Sequence, residues 1–196
     1  MDMWQNLLSM TFLVALLTSG LRLAIPIYLA ALGEIITERG GVLNLGLEGI
    51  MLVGALGGFM GAYYVEQGMT PLPVAAAPWI GILIGTLAGM AMGLLMAVLA
   101  VTLRTDQVIA SITLVILGQG LTTYVYRQQF SSLTARVTGF PEIPLPYLAD
   151  LPLIGPILFR HDIMTYLSGG LLFAALLLLY ETTWGLNIRA AGEHPA

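Results

Sequence analysis

Residues Ile163 to Glu181 read IMTYLSGGLLFAALLLLYE, and Glu181 is their only charged residue. At a helical rise of about 1.5 Å per residue, a stretch of this length is close to the roughly 30 Å thickness of the hydrocarbon core of a bilayer. A segment inside lipid has no water to satisfy its backbone, so it must form its own hydrogen bonds as a helix. The stretch therefore predicts a transmembrane helix.

The composition of the chain extends this prediction to the whole protein. Hydrophobic residues make up 58% of the 196 residues and charged residues 9%, whereas a soluble globular domain is about 25% charged. The mean hydropathy is +0.89. The sequence is that of an integral membrane protein.

Charge and residue usage exclude several functions. The net charge is -4, and the basic residues are seven arginines with no lysine, so there is no basic tract for nucleic acid and we expect no nucleic-acid partner. The chain has no cysteine, and His161 and His194 are far apart in the sequence. Neither an HExxH nor a GxSxG motif occurs, so we predict no catalytic residue and no metal ligand in this chain.

The first apolar stretch is too long for one straight crossing. Leu7 to Ile36 would span about 45 Å as a helix. Gly20 and Pro26 are the positions at which such a helix would break or kink. We therefore predict a crossing over Leu21 to Ile36, with Leu7 to Thr18 tilted or lying in the membrane interface.

Three further crossings are predicted between charged or proline-rich breaks. They are Val42 to Tyr64, Pro78 to Leu103, and Asp106 to Tyr126, where Asp106 is expected to cap the last of them. Together with Ile163 to Glu181 they make about five transmembrane helices. The fold class is thus an all-α, polytopic membrane protein with one transmembrane domain over residues 1–196.

The distribution of arginine sets the expected orientation. Arg39, Arg104 and Arg189 fall in short segments on one side of the membrane, and the other loop arginines lie in the long polar stretch 127–162. Short loops rich in arginine remain in the cytoplasm. We therefore expect 127–162 to be extracytoplasmic and 182–196 to be cytoplasmic.

A row of glycines marks one face of the third predicted helix. The four glycines recur every fourth residue, at Gly81, Gly85, Gly89 and Gly93. Small residues at this spacing allow another helix backbone to approach closely, which is a main source of helix association in lipid. The row fits an intramolecular helix contact, and it also fits a contact with a second membrane subunit.

Polar residues inside predicted membrane helices are candidates for function, because each is costly in lipid. Asn44 and Glu48 stand four residues apart, on one face of the second predicted helix. They fit a gate or a contact with a cytoplasmic partner. They equally fit structural roles, with Glu48 stabilised by the helix dipole and Asn44 bonded to nearby backbone.

The fourth predicted helix carries a stripe of polar side chains. These are Ser111, Gln119, Thr122 and Tyr126, which fall close to one face at helical spacing. The stripe is compatible with a route for a hydroxyl-rich solute. It is also compatible with hydrogen bonds that hold helices together.

Three stretches resemble one family of membrane proteins. Leu21 to Ala55, with the core ERGGVLNLGLEG, resembles the permease subunits of bacterial ABC importers of the nucleoside and simple-sugar type, which are relatives of the branched-chain amino acid permeases. LRTDQVIASITL, from Leu103, is similar to the family's cytoplasmic turn. GLNIRAAGEHPA, from Gly185 to Ala196, resembles the start of its cytoplasmic coupling segment.

The resemblance implies which residues couple the chain to a motor. The matching positions are Gly185, Asn187, Arg189, Gly192, Glu193 and Pro195. Arg189 would bond carboxylates on the ATP-binding subunit, and Gly192 and Pro195 would shape a turn into a docking helix. The resemblance also implies that the chain is the N-terminal portion of a longer permease bundle.

The resemblance further implies the partners and the mechanism. ATP and Mg would be bound by a separate cytoplasmic subunit, so this chain would carry no cofactor and would not be an enzyme. A second permease subunit, identical or different, and an extracytoplasmic solute-binding protein would complete an importer in the bacterial inner membrane. The expected solute is a nucleoside first, a simple sugar second and an amino acid third.

Other functional classes remain as alternatives. An ion-coupled secondary transporter would usually show inverted repeats and buried acids, and Glu48 is the only candidate acid. An intramembrane enzyme would need a nucleophile, a base or a metal set within the bilayer. The third alternative is an inactive, truncated membrane scaffold.

Overall fold

The computed structural model describes residues 10–130, 135–149 and 154–193. Its helices are α1 (Met10–Arg39), α2 (Leu47–Glu66), α3 (Ala77–Ala97), α4 (Gln107–Phe130), α5 (Ile154–Leu158), α6 (Ile163–Glu181) and α7 (Thr183–Glu193). A 3-10 turn, Val74–Ala76, precedes α3, and a π-helical turn, Val98–Thr102, extends it. The strands β1 (Glu142–Pro144) and β2 (Arg160–Asp162) form an antiparallel pair.

Five of these helices are long and apolar enough to cross a membrane. They are α1, α2, α3 with its flanking turns, α4 and α6. The predicted all-α, multi-pass membrane class is confirmed, and the two short strands add a small hairpin to it. The predicted bounds of the fifth crossing, Ile163 to Glu181, are those of α6.

The prediction of a break in the first crossing is wrong. α1 is one helix of 30 residues that runs through both Gly20 and Pro26. Proline removes a single backbone donor and fixes a φ angle that suits a helix, so a long apolar segment keeps its other hydrogen bonds by remaining helical. A helix of this length exceeds the core of a bilayer, so it is long enough to span the membrane with some tilt.

Two other boundaries differ from the predicted ones. The second crossing begins at Leu47 rather than Val42, because residues 40–46 form a turn. The fourth begins at Gln107 and continues to Phe130, so its last turn occupies the start of the predicted loop. Asp106 caps this helix as predicted, since its Oδ1 accepts from the amides of Val108 at 2.9 Å and Ile109 at 3.1 Å.

The contacts of the chain divide into two compact units. The first contains the described parts of Met1–Gly33 and Phe140–Asn187, and the second those of Glu34–Gly139 and Ile188–Ala196. In the first unit, Arg22 of α1 forms an ion pair with Glu142 of β1 at 2.6 Å. The ion pair therefore joins α1 to β1 within this unit.

A tight corner joins α6 to α7 in the first unit. Thr182 is extended, and its hydroxyl accepts from the amide of Gly185 at 3.1 Å while it donates to the carbonyl oxygen of Leu178 at 2.6 Å. A Cβ on Gly185 would overlap the carbonyl oxygens of Leu178 and Leu179. The corner therefore requires glycine at position 185.

In the second unit, α2 and α3 pack through glycine. A Cβ on Gly81 would lie 2.9 Å from the carbonyl oxygen of Gly58, and one on Gly85 would lie 2.9 Å from that of Gly54. Gly89 is looser, with only a methyl of Ile50 at 3.8 Å, and a Cβ on Gly93 would meet none of the described atoms within 4 Å. The first half of the glycine row thus makes an intramolecular helix contact.

α2 also packs closely against α4. A Cβ on Gly49 would overlap the carbonyl oxygen of Leu114, and one on Gly118 would lie 2.6 Å from the Cα of Gly49. Beside this crossing, Leu114 joins a buried cluster with Met92, Met96 and Ala110. The second unit is therefore a three-helix bundle of α2, α3 and α4.

Candidate functional site

The stretch that carries the family resemblance folds into a turn after α1, which we call the glycine turn (residues 40–46). α1 ends in a Schellman motif, in which the amide of Val42 donates to the carbonyl oxygen of Thr37 at 3.1 Å and the amide of Gly41 to that of Glu38 at 3.0 Å. Gly41 has a φ of 84°, a left-handed conformation that favours glycine. The two adjacent glycines therefore end α1 sharply.

Side chains from outside the turn satisfy its next two amides. The amide of Leu43 donates to Oε1 of Gln107 at 2.8 Å, and the amide of Asn44 donates to Oε1 of Glu34 at 2.8 Å. Glu34 is half-buried, and its second oxygen accepts from the hydroxyl of Thr37 at 2.9 Å. Glu34 of α1 and Gln107 of α4 thus hold the glycine turn from two helices.

Asn44 satisfies a further amide within the turn. Its side chain is buried, with 7% of the residue exposed, and Oδ1 accepts from the amide of Gly46 at 3.0 Å. This is an Asx turn, in which the side chain replaces a backbone acceptor. The amides of residues 40–44 and of Gly46 therefore all have a partner, so the non-helical segment satisfies nearly all of its donors.

The last turns of α7 pack directly against the end of α1 in the second unit. A Cβ on Gly192 would overlap the carbonyl oxygen of Arg39 and lie 3.0 Å from the amide nitrogen of Gly41. A Cβ on Gly41 would in turn lie 3.2 Å from the Cα of Gly192. One backbone rests on the other here, so the two motifs of the resemblance meet through a pair of glycines.

The predicted pair of Asn44 and Glu48 does not share a helix face. Asn44 lies in the glycine turn, before α2 begins at Leu47, and its amide oxygen is used inside the turn. Glu48 lies in the first turn of α2 and is exposed. Asn44 therefore has the structural role that was considered for it, a hydrogen bond to nearby backbone. A contact of Glu48 with a partner stays a prediction.

The predicted polar stripe on α4 divides into two faces. Ser111 is completely buried, and its hydroxyl and that of Thr122 have no hydrogen-bond partner within the described part of the chain. At helical spacing both lie on the same side as Leu114 and Gly118, which pack on α2. Gln119 is exposed, so it does not belong to that face.

Most of the predicted coupling residues lie on α7. The structure has a helix over Thr183–Glu193 where a loop was expected, so Gly192 lies within a helix and does not shape a turn. The apolar side chains of this segment recur at helical spacing, which favours a helix. Gly185 forms the corner with α6, Asn187 and Glu193 are exposed, and Arg189 is half-buried. Pro195 lies outside the described residues.

Glu34 and Gln107 were missed in the sequence. Glu34 lies near the end of the first predicted crossing, and Gln107 directly follows the predicted cap Asp106, so neither position stands out as an acceptor. A carboxylate close to a glycine-rich segment is a signal for an acceptor of backbone amides, since such a segment leaves donors without helical partners. Among the described residues, no group of three His, Asp or Glu side chains is placed to hold a metal ion.

Comparison with known proteins gives several relatives over nearly the whole chain. The chain is 40% identical over 192 residues to the putative glucose ABC transporter permease protein TsgC13 of Haloferax volcanii, covering 95% of this chain and 54% of the relative. It is 34% identical over 177 residues to the guanosine ABC transporter permease protein NupQ of Bacillus subtilis, covering 88% of this chain and 54% of the relative.

A third relative is the nucleoside ABC transporter permease protein NupC of Lactococcus lactis. It is 33% identical over 177 residues, and the match covers 87% of this chain and 53% of the relative. The chain thus spans about half the length of these relatives. No solved structure matches it. The family described as branched-chain amino acid transport system / permease component matches residues 16–196, and the chain belongs to this family.

Proposed function

We propose that this chain is the membrane-spanning part of an ABC importer permease that moves a small polar solute across the cytoplasmic membrane. The observation that carries the proposal is the family match over residues 16–196, together with relatives that are named as glucose, guanosine and nucleoside permeases. The permease performs no covalent chemistry. ATP and Mg are bound and ATP is hydrolysed by a separate cytoplasmic subunit.

The proposed mechanism is alternating access. ATP binding closes the partner subunits, and the membrane helices shift between two packing arrangements that open toward opposite sides. A solute-binding protein delivers the solute from outside, and a second permease subunit completes the path. In this chain α7 receives the movement, with Asn187, Arg189 and Glu193 toward the ATP-binding subunit.

The proposed orientation is supported by the arginines and by the contact between the ends of α1 and α7. Arg39 and Arg189 lie on segments that meet at Gly41 and Gly192. Arg104 lies between the π-helical turn and α4. It is three residues before Gln107, the first residue of α4, whose side chain bonds the glycine turn. Short arginine-bearing segments gathered at one place support a cytoplasmic position for this end of the second unit.

The proposed solute is a nucleoside, with a simple sugar second. Two of the three relatives are named for nucleosides and one for glucose. Both solutes present hydroxyl groups, which a path through a bundle with hydroxyl side chains is suited to accept. Nucleosides and simple sugars both carry sugar hydroxyl groups, so uptake of these two classes should be compared directly.

A test of the solute uses cells that lack the gene. We expect uptake of radiolabelled guanosine to fall about tenfold or more in the deletion strain, because an importer against a gradient has no passive substitute, and the plasmid-borne gene should restore it. Excess unlabelled adenosine should compete, and glucose should not. If the deletion strain loses glucose uptake but keeps guanosine uptake, the solute is a sugar. If uptake of guanosine and of glucose is unchanged, the proposed function is wrong.

A further inference from the structure

The glycine turn and the end of α7 have the properties of a rigid connector. The three atoms that lie nearest to a Cβ placed on Gly192 are all backbone atoms, namely the carbonyl carbon and oxygen of Arg39 and the amide nitrogen of Gly41. A contact between backbones cannot absorb a displacement by a rotamer change, since packed interiors deform little. Movement of one segment is therefore passed to the other.

The turn is held by the elements that would receive such a movement. Glu34 ties Asn44 to α1, and Gln107 ties Leu43 to the first residue of α4. The turn runs directly into α2. α2 and α4 are in turn joined where Gly49 and Gly118 touch. A displacement at Gly41 thus reaches both helices through short contacts, without a flexible linker.

Resting on the proposed function, we propose that the glycine turn is the internal transmission element of this permease. Gly192 is the point at which α7 acts on the turn, and Glu34 and Gln107 are positioning residues that make α2 and α4 follow it. The end of α7 and the glycine turn move as one body during transport, and the change in packing occurs elsewhere.

The first test breaks the contact at Gly192. The full-length permease, assembled with its ATP-binding subunit and binding protein in proteoliposomes, is compared with Gly192→Ala. The added methyl overlaps the Arg39 carbonyl oxygen, so the end of α7 must move away from the glycine turn, and uptake per ATP hydrolysed should fall. Gly33→Ala is the control, since its Cβ would meet no described atom within 4 Å. Unchanged uptake per ATP in Gly192→Ala would overturn the proposal.

The second test fixes the contact, and it decides the matter if Gly192→Ala does not assemble. Residues 1–196 contain no cysteine, so a Gly40→Cys, Ile188→Cys pair introduces the only two thiols into this segment. A Cβ on Gly40 would lie 3.7 Å from Cγ2 of Ile188, so these two positions are neighbours at which a cysteine pair can be introduced, and the formation of the bond is checked by loss of free thiols on oxidation.

If the two segments move as one body, oxidation of this pair leaves uptake equal to that of the reduced protein. Loss of uptake on oxidation, restored by a thiol reductant, would show that α7 slides over the turn and would overturn the proposal. If the unmodified protein shows no ATP-dependent uptake, the proposed function itself fails, and that outcome is visible before any variant is made.

Discussion

Glu34 is one of three side chains that accept a hydrogen bond from an amide of the glycine turn, with Asn44 and Gln107. Its carboxylate receives the amide of Asn44 at 2.8 Å and the hydroxyl of Thr37 at 2.9 Å. A half-buried amide that loses such an acceptor costs about 1–3 kcal/mol. The turn therefore needs an acceptor at this position, whatever solute the protein carries.

We expect Glu34→Ala to lower the free energy of unfolding of the detergent-purified protein by about 1–3 kcal/mol, and therefore to lower the midpoint of its thermal denaturation. The matched control is Glu38→Ala, one helical turn further along, where the acid is exposed. The measurement is the loss of the monodisperse peak in size-exclusion chromatography after heating. Equal midpoints for both variants would show that the carboxylate of Glu34 does not hold the turn.

The glycines of the turn were readable in the sequence only in part. Two adjacent glycines after an arginine are a recognisable helix end, and the structure has α1 end there. The acceptors Glu34 and Gln107 come from residues 10 and 64 positions away from the amides that they satisfy. Pairings of this kind depend on how helices pack, so local pattern did not reveal them.

At the level of helices, the spacing of glycine in α3 indicated a close contact but not its extent. Gly81 and Gly85 touch the backbone of α2, and Gly93 touches none of the described residues. The difference arises because two helices that cross diverge away from the crossing point, so only part of a regular row is used.

This difference gives a direct comparison of two glycines on one face. Gly85→Leu should separate α2 from α3 and lower the amount of folded protein in the membrane severalfold, since overpacking at a backbone contact costs about 1–3 kcal/mol. Gly93→Leu should leave the amount unchanged, because the position is open. Fluorescence of a fused reporter in size-exclusion chromatography gives both values. Equal losses would contradict the observed crossing.

The helix boundaries show which sequence signals were sufficient. α6 matches its prediction because Asp162 caps it, with Oδ1 accepting from the amide of Thr165 at 3.0 Å, and because Glu181 ends the apolar run. α1 and α7 were mispredicted for opposite reasons. In α1, Pro26 was expected to break the helix, but a segment in lipid keeps its remaining backbone hydrogen bonds by staying helical. In α7, the polar composition suggested a loop, although the apolar residues of that segment recur at helical spacing.

For the whole molecule, composition predicted the membrane class, and the apolar stretches between charged or proline-rich breaks predicted the five candidate crossings found among the described residues. The scarcity of charge and the five long apolar stretches leave no other way to satisfy the backbone. The proposed function came from a different source, namely the resemblance of the motifs around Arg39 and Gly192 to a permease family, and the family match over residues 16–196 confirms that resemblance. What the sequence did not show was that these two motifs touch.

We propose that ATP hydrolysis by a partner subunit drives solute through the permease to which this chain belongs. Guanosine uptake can be measured in proteoliposomes that hold the full-length permease with its ATP-binding subunit and binding protein, with ATP on the side of the ATP-binding subunit. We expect accumulation against a gradient that stops with a non-hydrolysable ATP analogue and persists when ionophores remove ion gradients. Uptake that ignores ATP and collapses with the ionophores would contradict it and identify an ion-coupled transporter.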